Sequence, residues 1–325
     1  MPTISVIIPL FNKAAYVESA LVALASQLQA GDEIVVVDDV STDDGPARVE
    51  RLAAALPDTH LRLLRQARNG GPATARNAGA ADARGDYLLF FDADDIPHPQ
   101  LMAPLRQCIA RHPSESMFTY DLALQAHGET ADMAPAQALA NVSTEVLLPG
   151  AFVRASLMGK PLCTASSTCV RTKAFQAAGG FQPGLRYCED PELWARLSAR
   201  HAIVRIGATL AVYRDVPASL SHGMRAQPGS VQPYVATLLS LSQHPGDEHQ
   251  RLACSFVTRN VVFSLALGAR RMAVLGYLSS VRALFRWDRL LALRLLAALP
   301  RSVLSLALRW RTRRLGRRHL SRAAP

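Results

Sequence analysis

The sequence predicts an α/β fold, a doubly wound mixed sheet flanked by helices, followed by a helical C-terminal extension. Over roughly the first hundred residues, short apolar runs rich in Ile and Val alternate with amphipathic stretches at helical spacing. This alternation indicates βαβ units. Polar residues follow several of the apolar runs directly, at the edge where sheets of this kind bind ligands. Beyond about Val231 the pattern is helical to the end of the chain.

Four strands and three helices are expected in the first part of the chain. The first run, Ile4–Pro9, suits a strand buried on both faces. The other expected strands are Glu33–Val37, Leu61–Leu64 and Tyr87–Phe91. The expected helices are Lys13–Leu28, a helix capped by Ser41 or Asp43 that runs through Leu56, and Ala73–Arg84. The caps follow from the preference of Ser and Asp for the N-cap position.

The middle of the chain, to about Arg214, has weaker patterns. The expected elements are a strand at Thr164–Val170, a helix with Asp190 as N-cap and Pro191 at its first position that ends near Arg200, and strands at Ala202–Ile206 and Thr209–Tyr213. Two polar segments, 128–141 and 219–229, are predicted to be loops.

Cysteine content and charge limit the class of protein. The five cysteines form no C-x-x-C pair, which argues against a disulfide framework and against a zinc site. No basic region precedes the apolar run at residues 4–10, so a signal peptide is not expected. Residues 251–325 contain sixteen Arg and one acid, Asp288, a net charge of +15. Because the whole chain carries +10, residues 1–250 carry −5.

The basic segment 251–325 has two interpretations. Its helices could lie on an anionic membrane surface, or they could pack on the body or on a partner with their arginines in solvent. A spanning helix is not expected, because charges interrupt every long apolar run. Nucleic-acid binding is not expected either, because the arginines alternate with Leu rather than with aromatic residues. The predicted division is 1–230 for the body and 231–325 for a basic amphipathic extension, with the protein in the cytoplasm on the inner face of the membrane.

Carboxylates cluster where predicted strands end. Asp92, Asp94 and Asp95 follow the fourth strand, and Asp38 and Asp39 follow the second. Neighbouring carboxylates are costly unless a cation neutralises them. Their oxygens favour Mg²⁺ or Mn²⁺, whose coordination phosphate oxygens and water commonly complete. Capping of a turn or helix is the alternative role for each group.

Two further groups are candidates for binding or catalysis. Glu189 and Asp190 form a candidate acid–base pair, and the alternative is that they complement the dipole of a helix N-terminus. Arg76 lies within Gly71–Gly79 on the predicted third helix, although an isolated Arg is usually a solvated surface residue. Neither G-x-G-x-x-G nor the P-loop pattern occurs, which disfavours dinucleotide and P-loop sites.

Taken in order, these segments resemble a family-2 glycosyltransferase of GT-A fold. The segments that carry the resemblance are Ser5-Val-Ile-Ile-Pro-Leu-Phe-Asn12, Val36-Val-Asp-Asp-Val-Ser-Thr-Asp43, Gly71–Gly79, Phe91-Asp-Ala-Asp-Asp95, Ser166-Ser167, Gly179-Gly-Phe181 and Glu189-Asp-Pro-Glu-Leu-Trp194. They extend over about residues 3–214. Each motif is weak alone, and the ordered set is specific.

The resemblance implies an inverting, metal-dependent transfer of a sugar from a nucleoside diphosphate, expected to be UDP, to a hydroxyl of a saccharide or lipid-linked saccharide. Such an enzyme would serve cell-surface polysaccharide or glycolipid synthesis, with residues 1–230 as its catalytic domain. Carried over by position, the donor-binding residues are Pro9, Phe11, Asn12, Asp39, Arg76 and Asp92. Asp94, with Asp92, is expected to bind Mn²⁺ or Mg²⁺. Asp190 is expected to be the general base, supported by Glu189, with Trp194 packing the helix.

The sequence departs from the family pattern in two places. Many relatives carry a His shortly after a Tyr-Arg pair, whereas Tyr213-Arg214 is followed by Asp215-Val216; His222 is a candidate for that position near the diphosphate. Ala283-Leu-Phe-Arg-Trp287 lacks the Gln of the Q-x-x-R-W motif of processive members, so a non-processive enzyme is expected.

Two other function classes stay open. A phosphohydrolase could use Asp92 and Asp94, although such enzymes usually carry D-x-D-x-[TV], which is not matched here. A catalytically inactive, membrane-associated binding module is the other alternative, and the intact carboxylates count against it.

Overall fold

The computed structural model describes residues 2–125, 139, 142–160, 162–185, 187–216, 229, 231–266, 269–285 and 287–298. The chain divides into two compact units, Met1–Pro217 and Ala218–Pro325. The sequence predicted the boundary at residue 230, and the observed boundary lies somewhat earlier.

The first unit contains nine strands among its described residues. They are β1 Ile4–Leu10, β2 Glu33–Asp38, β3 Leu61–Arg65, β4 Tyr87–Phe90, β5 Ile96–Pro97, β6 Met117–Gln125, β7 Thr144–Leu147, β8 Thr168–Arg171 and β9 Ile203–Arg214. The helices of this unit are α1 Ala14–Ala25, α2 Gly45–Ala55, α3 Gly71–Asp82, α4 Met102–Arg111, α5 Ala151–Leu157, α6 Thr172–Ala177 and α7 Glu189–Ser198.

All nine strands join one mixed sheet in the order β3-β2-β1-β4-β8-β6-β9-β5, with β7 paired to β9. The strands β3, β2, β1 and β4 are parallel, whereas β8 runs antiparallel to both β4 and β6. The predicted doubly wound mixed sheet is therefore confirmed. The carboxyl ends of β1, β2 and β4 lie side by side, as the clustering of polar residues required.

Helix α3 packs unusually close to the parallel strands. A Cβ atom added at Gly79 would lie 2.6 Å from the Ile7 side chain on β1 and 3.0 Å from Val37 on β2. Real Cβ atoms do not approach so closely, so this contact requires glycine. The close packing buries Arg76, one turn earlier on the same helix, to 3% exposure.

Neither residue predicted to cap α2, Ser41 or Asp43, occupies its N-cap position. Helix α2 begins at Gly45, and neither Ser41 nor its N-cap residue Asp44 makes a side-chain cap. The Ser41 hydroxyl accepts a hydrogen bond from the Asn12 amide (3.1 Å). Asp43 binds the amides of Gly45 (3.0 Å) and Ala14 (2.8 Å), so it links the starts of α1 and α2.

The predicted strand Thr164–Val170 begins later than expected. Residues Ala165–Ser167 form a 3₁₀ turn closed by a reciprocal capping box between Thr164 and Ser167. Their hydroxyl groups bind nearby backbone and thereby compete with the strand ladder. The two short strands expected at 202–213 are one strand, β9, whose pairing with β6 is interrupted by a register shift near Gly207.

The predicted start of the helix after Tyr187 is also wrong. The N-cap of α7 is Cys188, in the left-handed region at φ 60°, and it makes no side-chain cap. Glu189 and Asp190 therefore both lie inside the first turn, and Pro191 is the third helical residue. The carboxylate of Asp190 does not serve as the helix cap.

The second unit is helical in its described part. Its helices are α8 Gln232–Leu241, α9 Glu248–Ala266, α10 Arg271–Ser280 and α11 Trp287–Ala298. Tyr234 packs edge-on against Phe256, with ring centroids 4.9 Å apart, and joins α8 to α9. Within the described residues, every helix falls short of the length or hydropathy needed to cross a membrane. The most basic stretch, 299–325, lies outside the described residues.

Candidate active site

Three carboxylates follow the end of β4 at the sheet edge. The Asp92 amide donates a 2.9 Å hydrogen bond to the Ser166 hydroxyl, and the Asp95 amide binds the Asp92 carbonyl (3.1 Å). Asp95 is 3% exposed. One of its oxygens accepts the Arg214 amide (3.1 Å), and the other has no partner among the described residues. Burial, then the charges of Asp92 and Asp94, raise the pKa of Asp95 well above its ordinary value.

Arg76 joins the acidic segment after β4 to the first turn of α7. Its Nη2 donates to Asp92 at 2.6 Å and its Nη1 donates to Glu189 at 2.9 Å. The guanidinium also lies 5.4 Å from the centre of the Phe181 ring. Although burial opposes its charge, the charges of Asp92 and Glu189 raise the pKa of Arg76. Arg76 is therefore a buried cation that holds two acidic segments together.

Asp190 stands beside this ion-pair network. Burial raises its pKa to about 8, assisted by the charges of Glu189 and Asp92 and opposed by Arg76. A carboxylate that binds a proton this strongly has the basicity required of a general base near neutral pH. The structure thus brings Asp190, Glu189, Arg76 and Asp92 into one electrostatic cluster.

Lys13 is a site residue that the sequence analysis missed. Its ammonium donates to Asp94 at 2.5 Å, and the two side chains are 18% and 17% exposed. Lys13 immediately precedes α1 and follows the Pro-Leu-Phe-Asn segment. The sequence could have indicated its role, because it is a basic residue close to an edge predicted to carry carboxylates.

The residues at the end of β1 form the other side of this edge. Asn12 has a left-handed backbone (φ 52°), and its side-chain oxygen accepts a hydrogen bond from the Thr42 amide (2.8 Å). This bond ties the end of β1 to the segment after β2. Phe11 is 43% exposed, so its ring is open to a ligand, and Pro9 is half-buried within β1.

The Asp39 carboxylate, predicted to contact the nucleobase of the donor, is buried and already hydrogen-bonded within the protein. It is 3% exposed, and its two carboxylate oxygens accept the amides of Gly70 (2.7 Å) and Gly71 (2.8 Å) at the start of α3. The carboxylate therefore fixes the entry to the helix that carries Arg76. Contact between Asp39 and a nucleobase stays a prediction.

Trp194 packs inside the molecule, as predicted. It is fully buried, with its ring centroid 5.8 Å from that of Phe181 and 6.2 Å from that of Phe90. The Asn77 side chain holds the backbone of Phe181 through two hydrogen bonds, of 2.6 Å and 2.9 Å. Through Phe181, these contacts link α7 to α3.

The carboxylates after β4 suit a divalent cation that takes part of its coordination from a ligand. Among the described residues, no three carboxylate, imidazole or thiol groups converge closely enough to hold a metal alone. However, Asp95 has an unpartnered buried oxygen, and Asp94 already binds one cation, the Lys13 ammonium. A donor set of this kind fits Mg²⁺ or Mn²⁺ bound together with phosphate oxygens. His222 lies outside the described residues.

Comparison with known proteins shows what the first part of the chain resembles. The family model described as glycosyl transferase family 2 matches residues 5–118, which include the ends of β1, β2 and β4. Over these residues the chain is similar to glycosyl transferase family 2. The resemblance drawn from the ordered motifs is thereby confirmed.

Curated relatives of this chain include proteins from several bacteria. A succinoglycan biosynthesis protein, ExoO, of Rhizobium meliloti (strain 1021) is 38% identical over 111 residues, which are 34% of this chain and 30% of ExoO. An uncharacterized glycosyltransferase of Haemophilus influenzae is 27% identical over 199 residues, covering 60% of this chain and 61% of the relative. The chain thus spans less than two thirds of the length of these relatives.

Solved structures share the fold of this chain. S. aureus TarS 1-349 in complex with UDP-GlcNAc has a TM-score of 0.67 at 19% identity, covering 90% of this chain and 83% of the 1-349 chain. The mannosyltransferase PcManGT from Pyrobaculum calidifontis, in complex with GDP-Man and Mn²⁺, has a TM-score of 0.58 at 18% identity, covering 94% and 87%. The predicted GT-A fold is confirmed.

Proposed function

We propose that this chain is an inverting, metal-dependent glycosyltransferase that moves a sugar from a nucleoside diphosphate to an acceptor hydroxyl. The observation that carries the proposal is the cluster in which Arg76 bridges Asp92 and Glu189 beside the strongly basic carboxylate of Asp190. Such a cluster combines an anion-binding edge with a positioned base. Perturbed carboxylates gathered at a ligand-binding edge are typical of a catalytic site.

In the proposed reaction, Asp190 takes the proton of the acceptor hydroxyl. The acceptor oxygen forms a bond to the anomeric carbon while the bond from that carbon to the diphosphate oxygen breaks, and the electron pair leaves with the diphosphate. A single displacement inverts the anomeric configuration. Asp94 and Asp92 would hold Mn²⁺ or Mg²⁺, which supplies charge neutralisation of the departing diphosphate. Arg76 holds Asp92 and Glu189 in place.

The proposed donor is a UDP-sugar. TarS, which shares the fold, is described in complexes with UDP-GlcNAc and with UDP. PcManGT, described with GDP-Man and Mn²⁺, supports the metal and keeps GDP as the second candidate. The proposed acceptor is a hydroxyl of a saccharide or lipid-linked saccharide in polysaccharide or glycolipid synthesis, by analogy with ExoO.

A thermal-shift panel tests the donor site. UDP and GDP are added to the full chain with and without Mn²⁺, and a ligand that binds the folded state raises the melting temperature. A shift with UDP that requires Mn²⁺ is the expected result. The absence of any shift with a folded protein would overturn the donor site.

Two variants separate the enzyme from a catalytically inactive binding module. Asp190→Asn should keep the metal-dependent UDP shift and lose transfer of the sugar to the acceptor, with a loss on the order of a hundredfold or more. Asp94→Asn should lose both the metal-dependent UDP shift and the transfer of the sugar. If Asp190→Asn retained full transfer, Asp190 would not be the base. If the unsubstituted chain bound UDP but transferred no sugar and hydrolysed no donor, the inactive module would be favoured.

We further propose that the second unit binds an anionic membrane surface, so that the enzyme acts on the inner face of the cytoplasmic membrane. Leu291 and Leu295 lie one turn apart on α11 and are 48% and 61% exposed, beside the exposed Arg294. Exposed apolar groups flanked by arginines favour binding to anionic lipid, and residues 251–325 carry +15.

Vesicle co-sedimentation tests this surface. The chain should sediment with phosphatidylglycerol vesicles and stay in solution with phosphatidylcholine vesicles. Leu291→Ser with Leu295→Ser should weaken sedimentation, whereas Leu124→Ser, at a site 80% exposed on the first unit, serves as the matched control. If all three proteins sedimented equally, Leu291 and Leu295 of α11 would not belong to the membrane-binding surface.

A further inference from the structure

The ammonium of Lys13 forms an ion pair with Asp94, whose carboxylate is expected to bind the metal. Its Nζ lies 2.5 Å from Oδ2 of Asp94, so ammonium and metal would compete for one oxygen. We propose that Lys13 is a displaceable counter-ion: its ammonium holds Asp94 in the free protein, leaves when a divalent cation binds with the nucleoside diphosphate, and then pairs with a diphosphate oxygen. The inference rests on the proposed function and deepens it.

The backbone of Lys13 is held on both sides, so the displacement is a movement of the side chain alone. The preceding amide, of Asn12, donates to Ser41 (3.1 Å), and the following amide, of Ala14, donates to Asp43 (2.8 Å). The Lys13 carbonyl accepts the amides of Tyr16 and Val17, at 3.0 Å and 3.1 Å. A lysine stem has four flexible carbons, which lets the ammonium reach a neighbouring anion without any change in the loop.

Electrostatic repulsion explains why ammonium and metal should not share Asp94. A divalent cation held by Asp94 would lie close to the ammonium, because the Lys13 Nζ is 2.5 Å from Oδ2 of the same carboxylate. Both side chains are largely shielded from solvent, so this repulsion is weakly screened. A bound diphosphate would relieve this repulsion, because the ammonium could then pair with a diphosphate oxygen instead of Asp94.

Arg76, the other cation of the cluster, is not suited to such a displacement. Its side chain is 4% exposed and holds two carboxylates, those of Asp92 and Glu189. The described contacts of the Lys13 ammonium, in contrast, consist of Asp94 alone. Lys13 is therefore the cation that a ligand can move at the smaller cost.

Thermodynamic linkage turns the displacement into cooperative binding. If the metal must displace the ammonium and the diphosphate accepts it, each ligand strengthens binding of the other by the same factor. Lys13 would thereby keep the affinity for metal alone low and reserve strong metal binding for the donor complex. Removal of the ammonium should raise the affinity for Mn²⁺ alone and weaken the coupling.

The test compares the unsubstituted full chain with Lys13→Met, which keeps the side-chain length without the charge. Binding of Mn²⁺ alone is followed by the electron paramagnetic resonance signal of free Mn²⁺, then repeated with UDP, and UDP binding without metal is measured by calorimetry. Lys13→Met should bind Mn²⁺ alone about fivefold more tightly or better, the lower range of such couplings. It should bind UDP alone more weakly and show a smaller effect of UDP on Mn²⁺ affinity.

Three controls make the result specific. Lys173→Met removes an exposed lysine of α6 and should change none of these affinities. Lys13→Arg keeps a cation and should behave more like the unsubstituted chain. In an Asp94→Asn background, Lys13→Met should have no further effect on Mn²⁺ binding.

The outcomes separate this inference from the proposed function. Equal Mn²⁺ affinity of the unsubstituted chain and Lys13→Met, with both binding Mn²⁺ and UDP, overturns the inference and leaves the proposed function standing. No Mn²⁺ binding by either protein, even with UDP, overturns the metal site of the proposed function and the inference with it.

Discussion

Arg76 donates a 2.9 Å hydrogen bond to Glu189, a residue 113 positions further along the chain. The bond joins helix α3 to helix α7, which carries the proposed base. Both side chains are largely buried, at 4% and 12% exposure. A buried guanidinium of this kind fixes acidic groups that would otherwise repel one another.

Replacement of Arg76 should destabilise the protein strongly. Arg76→Met leaves Asp92 and Glu189 without their counter-charge, and breaking a buried ion pair costs about 3–5 kcal/mol. Urea denaturation measures the change. Arg48→Met is the matched control, because the partners of Arg48 are more than half exposed and such pairs contribute about 0–1 kcal/mol. Equal stability of the two variants would contradict the structural role of Arg76.

The pH dependence of transfer should report the proposed base. Because the pKa of Asp190 is raised to about 8 and a base must be deprotonated, kcat/KM should fall as the pH drops below that value. The charge of Glu189 contributes to the raised pKa, so Glu189→Gln should move the acidic limb of the profile to lower pH. A limb that stays in place in this variant would contradict the assignment.

Asp190→Asn should stabilise the folded protein. The folded pKa of Asp190 lies above its ordinary 3.8, so the folded state binds the proton more tightly and the unsubstituted chain loses stability as the pH rises from about 4 to about 8. The variant should therefore gain stability at pH 8, on the order of a few kcal/mol because each pKa unit corresponds to about 1.4 kcal/mol, as is common when an active-site group is removed.

Thermal denaturation at pH 5 and at pH 8 checks this difference. The gain from Asp190→Asn should be larger at pH 8 than at pH 5. Ser219→Ala, in a segment predicted to be a loop, serves as a reference for an unrelated substitution. A gain that was independent of pH would show that the titration of Asp190 is not its origin.

Val40 should be replaceable by glycine with a gain in stability. Its backbone lies in the left-handed region (φ 65°) while its side chain is 40% exposed. A β-branched residue is strained in that region, and the strain amounts to about 1–2 kcal/mol. Val40→Gly should gain about 1 kcal/mol in urea denaturation, after allowance for the greater freedom of glycine in the unfolded chain. Val40→Ala keeps the backbone penalty, and equal stability of the two variants would refute the argument.

Much of the fold followed from local pattern. The apolar runs near residues 4–10 and 33–38 form parallel strands within a residue or two of their predicted ends, because strands buried on both faces have a distinctive composition. The caps were predicted less well. Ser41 binds Asn12 and Asp39 binds the start of α3, and such partners lie about 30 residues away or more, beyond the range of local preference.

The sequence by itself determined the class of the sheet, the resemblance to a glycosyltransferase family and the acidic residues that follow the strands. Only the tertiary structure decided which of those groups meet: that Arg76 bridges Asp92 and Glu189, that Asp39 binds the amides of α3, and that Lys13 covers Asp94. The physical reason is that strand and helix patterns repeat over a few residues, whereas the charge state of a carboxylate depends on burial and on cations brought to it from distant parts of the chain.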